Sequence, residues 1–156
     1  MEDKFMQNVR LLLRDLSARL PYGVVCEACS GEMRRGRLTG IDVSDWDEDC
    51  RPLCEILVDE ETMEIDGHEI DDLRPYLYSR EKGIKKYRED MEECGAIEPF
   101  FCIGRDGKAH SVPGYPVAYV GFCLENHIDY LGLLDIGWAV EITEENNPYI
   151  QKQKTK

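Results

Sequence analysis

The stretch LCEILVDEETMEIDG, Leu53–Gly67, has the clearest secondary-structure pattern in this chain of 156 residues. The apolar run Leu53–Val58 predicts a buried strand. Over Thr62–Asp66, apolar residues alternate with polar ones, as in a strand with one face in water. Acidic turn residues at Asp59–Glu61 separate the two runs, and a second turn signal follows at Asp66–Gly67. The stretch therefore predicts an antiparallel hairpin.

Two further strands are predicted before this hairpin. Tyr22–Cys29 and Arg35–Val43 have the composition of strands, and turn residues follow them at Ser30–Gly31 and Ser44–Asp45. Short strands that follow one another with short turns favour an antiparallel sheet.

The residues before the strands predict an amphipathic helix of about four turns. Its apolar side chains recur at helical spacing, at Phe5, Met6, Val9, Leu12, Leu13, Leu16 and Leu20. Pro21 ends the run. We interpret this apolar stripe as a packing face, so the expected fold is α+β. The helix would lie on a small antiparallel sheet that is either strongly bent or closed as an SH3-like barrel.

The rest of the chain predicts a short, mainly helical part. Arg74-Pro75 breaks the strand pattern, because the residue before proline is restricted. Ser79 then caps a highly charged helix that ends at Gly95. The inward positions of that helix would be Ile84, Tyr87, Met91 and Cys94.

Beyond this charged helix, glycines and prolines predict loops around a short strand at Phe100–Ile103. Two short helices are expected at Ala118–His127 and at Asp129–Ile136, the second capped by Asp129 and stopped by Gly137, and a strand follows at Trp138–Ile142. The sequence thus divides into a helix and β-domain, a linker helix, a small α/β part and a polar tail, at residues 1–78, 79–96, 97–145 and 146–156.

Composition predicts a folded cytoplasmic protein. The chain is 42% hydrophobic, which is enough for a core, and it has neither a signal-peptide pattern nor a membrane-spanning apolar run. Seven cysteines, an odd number, favour reduced thiols over a disulfide framework. The net charge of −13 disfavours direct binding of nucleic acid.

The negative charge is concentrated in one segment. Asp42–Asp72 contains fourteen carboxylates and a single basic residue, Arg51, whereas the remaining residues carry eighteen acidic and eighteen basic side chains. A cation or a basic partner would relieve the repulsion within this segment. We therefore predict that it binds a basic protein surface. The candidate residues are Asp45, Trp46, Asp47, Glu48, Asp49, Glu60, Glu61 and Glu64. An exposed Trp46 would be the apolar anchor, whereas an inward Trp46 would instead hold the loop against the core.

Four stretches resemble an uncharacterised family of small proteins from gut bacteria and their phages and prophages. They are LSARLPYGV (Leu16–Val24), GRLTGIDV (Gly36–Val43), EIDDLRPYL (Glu69–Leu77) and ENHIDYLGLLDIGWAVE (Glu125–Glu141). The resemblance implies a phage or mobile-element setting, and it carries no activity, cofactor or catalytic residue. In that setting, the acidic segment would inhibit a host protein by occupying its nucleic-acid-binding site.

Two metal sites are alternatives. Cys26, Cys29, Cys50 and Cys54 form two pairs that could bind zinc through four thiolates, while Cys26 and Cys54 could equally be small core residues. Asp45–Asp49 places carboxylates at alternate positions, as an EF-hand does. Cys50 and Ile56 occupy the positions where such a loop needs glycine and glutamate, which leaves only loose Ca²⁺ or Mg²⁺ association.

A small-ligand site is the remaining alternative. Arg105, Lys108, Tyr115 and Tyr119 supply the cations and aromatic rings that a nucleotide-like ligand needs, near a glycine- and proline-rich loop. The three histidines accompany no hydrolase, metalloprotease or phosphate-loop motif, so we expect a protein that is not an enzyme.

Overall fold

The computed structural model describes residues 3–30, 34–44, 51–94, 101–103, 109–111 and 117–149, with backbone alone for 101–103, 109–111 and 117. Helix α1 spans Lys4–Arg19, as the apolar period predicts. Asp3 caps it by accepting a hydrogen bond from the Met6 amide at 2.8 Å. Val9, Leu12 and Leu16 are fully buried, so the apolar stripe is a packing face.

A six-stranded mixed sheet packs against α1, which confirms the α+β class. Its strands are β1 (Val25–Ala28), β2 (Arg35–Asp42), β3 (Leu53–Asp59), β4 (Glu64–Glu69), β5 (Leu73–Leu77) and β8 (Val140–Glu141). The order across the sheet is β4-β3-β2-β1-β5-β8, and only β5 and β8 are parallel. Leu38, Cys54 and Ile56 pack into one core with the buried face of α1.

The sheet is open, so the barrel alternative is wrong. Closure would require β4 to pair with the far edge of β5, but β8 already occupies that edge at Tyr76 and Leu77. Within the described residues β4 and β8 form the two ends of the strand order. The sheet bends at two register shifts, between Leu38 and Gly40 and between Leu57 and Asp59.

Two strand boundaries differ from the sequence prediction. Thr62 and Met63 belong to the turn, and β4 continues through Gly67 to Glu69. Met63 has a φ of 56°, which reverses the chain where alternation alone predicted a strand. Pro75 lies inside β5 and faces Cys26 of β1 instead of breaking the pattern. Proline has no backbone N–H to donate to a neighbouring strand. It is tolerated here because Pro75 lies just outside the part of β5 that pairs with β8.

The C-terminal part packs around a second cluster. Helix α2 spans Arg80–Glu93 and is capped by Ser79, as predicted. Strands β6 (Phe101–Ile103) and β7 (Ala109–Ser111) form a hairpin, and helix α3 spans Val117–Glu125. The cluster's buried residues are Met91, Tyr119, Cys123 and Ile128. None of the described helices combines the length and apolarity that a membrane span needs.

The predicted helix at Asp129–Ile136 is instead a series of turns. The carboxylate of Asp129 accepts hydrogen bonds from three successive backbone amides, those of Gly132, Leu133 and Leu134, at 3.0–3.1 Å. Gly137 has a φ of 79° and ends the turns. The capping and stop signals therefore act on turns here, because Gly132, with a φ of 84°, interrupts a regular helix between them. The strand predicted at Trp138–Ile142 is also shorter than expected and spans Val140–Glu141.

A buried ion pair connects α1 with the C-terminal part. The Arg19 Nε donates to Asp15 Oδ2 at 2.9 Å, and both side chains are fully buried. The two terminal nitrogens of Arg19 donate to the carbonyl oxygens of Cys123 and Ile128, at 3.2 and 2.6 Å. One guanidinium thus bonds to a carboxylate on its own helix, to one carbonyl in the last turn of α3 and to one carbonyl just beyond that helix.

Candidate protein-binding surface

The hairpin of β3 and β4, Leu53–Glu69, is the centre of the acidic segment, and we call it the acidic hairpin. A tight loop joins its strands, because Asp59 Oδ1 accepts hydrogen bonds from the amides of Glu61 and Thr62 at 2.9 and 3.4 Å. The Met63 side chain is 65% exposed at the end of this loop. The turn therefore presents carboxylates and one exposed apolar side chain together.

The acidic hairpin contains seven carboxylates and no lysine or arginine. Three arginines from outside it supply counterions. Arg34 contacts Glu64 and Asp66 at 3.0 and 3.1 Å. Arg37 lies 3.9 Å from Glu60, whose side chain is 78% exposed.

The third arginine, Arg51, pairs with Glu69 at 3.0 Å and with Asp71 at 2.7 Å. With these three arginines the hairpin still has a formal charge of −4. Among the described residues, no ion pair neutralises Glu55, Asp59 or Glu61. The surface is therefore acidic in three dimensions, although less so than its linear charge density indicates.

The carboxylates are distributed over both faces of the hairpin. Residues directly opposite each other on neighbouring strands point to the same face. Glu69 lies opposite Leu53, and both side chains point away from the core. Asp66 lies opposite Ile56 and points to the face that is packed against α1. The acidic segment thus surrounds the edge of the sheet instead of covering one flat face.

The outer edge of β4 has no neighbouring strand within the described ranges. The Ile70 amide donates to the Pro52 carbonyl at 2.9 Å, which makes these two residues a hydrogen-bonded pair. Because such pairs alternate along an antiparallel ladder, Asp66 and His68 also bond to β3. Three residues then direct their backbone amide and carbonyl groups away from β3: Ile65, Gly67 and Glu69.

A polar cluster closes the connection between β4 and β5. The Ser30 hydroxyl donates to Asp72 Oδ2 at 2.6 Å, and Nδ1 of His68 lies 3.0 Å from the same oxygen. The His68 Nε2 is buried and has no hydrogen-bond partner among the described residues. Serine and histidine contact the same carboxylate and not each other, so the arrangement lacks the nucleophile–base contact of a hydrolytic triad. Its evident effect is to fix the strand connection.

The structure describes three of the four cysteines of the predicted zinc site, and two of these, Cys26 and Cys54, belong to the same core cluster. Cys26 and Cys54 are fully buried in the core, whereas Cys29 is exposed and Cys50 lies outside the described residues. Burial raises the pKa of the Cys54 thiol to about 12 and also raises that of Cys26. In the part of the chain that the structure describes, no three histidine, cysteine or acidic side chains are placed to hold a metal ion.

The ligand-binding alternative is only partly visible. Tyr119 is 2% exposed and packs in the second cluster. Arg105, Lys108 and Tyr115 lie outside the described residues. The structure also contains an open groove of about 710 Å³ between α2 and the turn at residues 142–147. The sequence did not indicate this groove, because the residues that line it are far apart in the chain. It is lined by Tyr78, Lys82, Lys86, Ile142, Thr143, Glu144 and Asn147.

The first part of the predicted partner site is also outside the described residues, namely Asp45, Trp46, Asp47, Glu48 and Asp49. Glu60, Glu61 and Glu64 are described, and all three are exposed near the turn. Sequence reasoning missed the open β4 edge. The signal that was available is Gly67, because a glycine inside a strand pattern often marks a place where another backbone approaches closely.

No protein-family model, no curated protein and no solved structure matches the chain.

Proposed function

We propose that this protein binds a basic surface of another protein through the acidic hairpin. The observation that carries the proposal is the combination at one end of the hairpin of exposed carboxylates and an exposed methionine. Glu60, Glu61 and Glu64 would provide the charge, and Met63 would provide apolar contact. Complementary charge accelerates association and selects the partner, while apolar contact slows dissociation.

The chemistry of such a surface also suggests what the partner does in its free state. Basic surfaces that bind nucleic acid do so by pairing lysine and arginine with phosphates. A run of carboxylates can occupy the same cations and thereby exclude the nucleic acid. The phage or mobile-element setting implied by the sequence resemblance would suit an inhibitor of this kind.

The experiment compares two variants with the same change in charge. In the hairpin variant, Glu60, Glu61 and Glu64 are replaced by glutamine. In the control variant, three exposed carboxylates of α2 are replaced instead: Glu81→Gln, Glu89→Gln and Glu93→Gln. Each protein is immobilised and exposed at low salt to a bacterial lysate.

We expect the wild type and the control variant to retain a basic protein that the hairpin variant does not retain. Moderate salt should release this protein. Added double-stranded DNA should compete for the same basic protein. Equal retention by all three proteins would contradict a role for the hairpin.

A second candidate function is supported by the groove of about 710 Å³, which has a size suited to a small ligand. Lys82 and Lys86 lie on its α2 side, with the Lys86 ammonium 5.8 Å from the Tyr78 ring centre. An anionic ligand with an aromatic group, such as a nucleotide, would match these residues. A thermal-shift panel of nucleotides tests this candidate, and Lys86→Gln should abolish any stabilisation that is found.

A further inference from the structure

We propose that the open edge of β4 accepts an extended basic segment of the partner as an additional strand. This inference rests on the proposed function and specifies how the partner is held. Exposed sheet edges bind peptides in this way because backbone hydrogen bonds supply affinity and alternating side chains supply specificity.

The backbone of β4 is arranged for such pairing. Ile65, Gly67 and Glu69 direct their amide and carbonyl groups outward, as the pairing of Ile70 with Pro52 establishes. This gives three donors and three acceptors in one row. No described strand uses them, and Gly67 places no side chain beside the row.

The side chains around the edge specify an occupant with two different faces. On the outward face, a residue opposite Gly67 would meet open space between Ile65, which is 49% exposed, and Glu69. On the other face, its two neighbours in the added strand would lie beside Asp66 and His68, and the next residue on that face would lie beside Glu64. A strand with alternating apolar and basic residues therefore fits the edge best.

Charge also selects against a second copy of this chain as the occupant. Two β4 strands paired with each other would bring the carboxylates of both hairpins together, and like charges directly opposite are destabilising. Charged residues at an edge strand commonly prevent self-association. The same charges attract a basic strand.

The test uses a capped octapeptide of alternating lysine and valine as the probe, with a glutamate–valine octapeptide as its charge control. Binding is measured at low salt, and amide hydrogen exchange is followed by NMR. The lysine peptide should bind and slow the exchange of the Ile65, Gly67 and Glu69 amides. The amides of α2 should exchange at an unchanged rate. The glutamate peptide should not bind.

Gly67→Pro removes one outward donor, and Gly67→Ala is its matched control because a Cβ there meets no atom within 4 Å. The proline variant should bind the lysine peptide about tenfold more weakly, and the alanine variant within about threefold of the wild type. The hydrogen-exchange result in the wild-type protein does not depend on whether the proline variant folds.

Binding that is sensitive to salt but leaves those three amides unprotected would overturn strand addition, while the acidic-surface function would still stand. Absence of peptide binding at low salt would also overturn strand addition. The lysate experiment with the glutamine variants decides the proposed function separately.

Discussion

Replacement of Arg19 by methionine should cost about 4 kcal/mol of folding free energy, because removal of one partner from a buried ion pair costs about 3–5 kcal/mol. Both Arg19 and Asp15 are fully buried, and Asp15 Oδ1 already lacks a hydrogen-bond partner among the residues that the structure describes. The methionine would also leave the Ile128 carbonyl without its Arg19 donor, while the Cys123 carbonyl would keep only the bond from the Ile128 amide. Burial raises the pKa of Asp15 more than Arg19 lowers it, so protonation of Asp15 would offset part of the loss.

The assay is equilibrium unfolding in urea, followed by circular dichroism. With a urea dependence of about 2 kcal/mol per molar, the midpoint should fall by about 2 M. Arg88→Met is the matched control, since Arg88 is largely exposed and lies 3.9 Å from Glu92. That control should lose about 0.5 kcal/mol or less.

The double variant Asp15→Leu/Arg19→Met distinguishes a lost ion pair from a lost packing contact. It should recover much of the loss, because replacing both members of a buried pair by apolar residues is often neutral. A loss below about 1 kcal/mol for Arg19→Met would refute the reasoning, since it would mean that the guanidinium only offsets its own desolvation.

Three further predictions follow from local environments. Burial and then the charge of Arg19 lower the pKa of His127 to about 4, so stability present above pH 6.5 should fall by about 3 kcal/mol as the pH drops to 4. His127→Asn should flatten this pH profile, and parallel profiles would contradict the assignment. Gly36→Ala should destabilise the protein by about 2 kcal/mol because its Cβ would collide with the β3 backbone, whereas Gly67→Ala should be nearly neutral in thermal melts. In a thiol-labelling time course Cys29 should react in the native protein and Cys54 only after unfolding, and slower labelling of Cys29 with added zinc would favour the metal alternative.

The sequence predicted the parts of the fold that depend on local periodicity. The period of α1 and the caps at Ser79 and Asp129 require only residues near one another in the chain, and all three are found. Strand β5 was missed because the local restriction at Pro75 was given more weight than pairing with β1. Open or closed sheet geometry was also unpredictable, since it depends on where β8, more than sixty residues after β5, joins the sheet.

The charge of the candidate surface was also only partly predictable from the local sequence. The sequence identified where the carboxylates are concentrated, but not where their counterions come from. Arg34 and Arg37 lie before the acidic segment and reach it because β2 runs antiparallel to β3. Linear charge density therefore overestimated the field at Glu60 and Glu64. The open β4 edge likewise depends on the order of the strands in the sheet and on which residues of β4 bond to β3. A local sequence pattern contains neither of these.

The arginine pairing also bears on how a partner would bind. A basic strand at β4 would compete with Arg34 for Glu64 and Asp66, and part of its electrostatic gain would replace an existing ion pair. Charge alone would then contribute mainly to the association rate, while backbone pairing at Ile65 and Gly67 would determine how long the complex lasts. Glutamine substitutions at the turn should therefore reduce the association rate, and Gly67→Pro should increase the dissociation rate. Identical kinetic effects of the two changes would show that charge and strand pairing do not act as separate contributions.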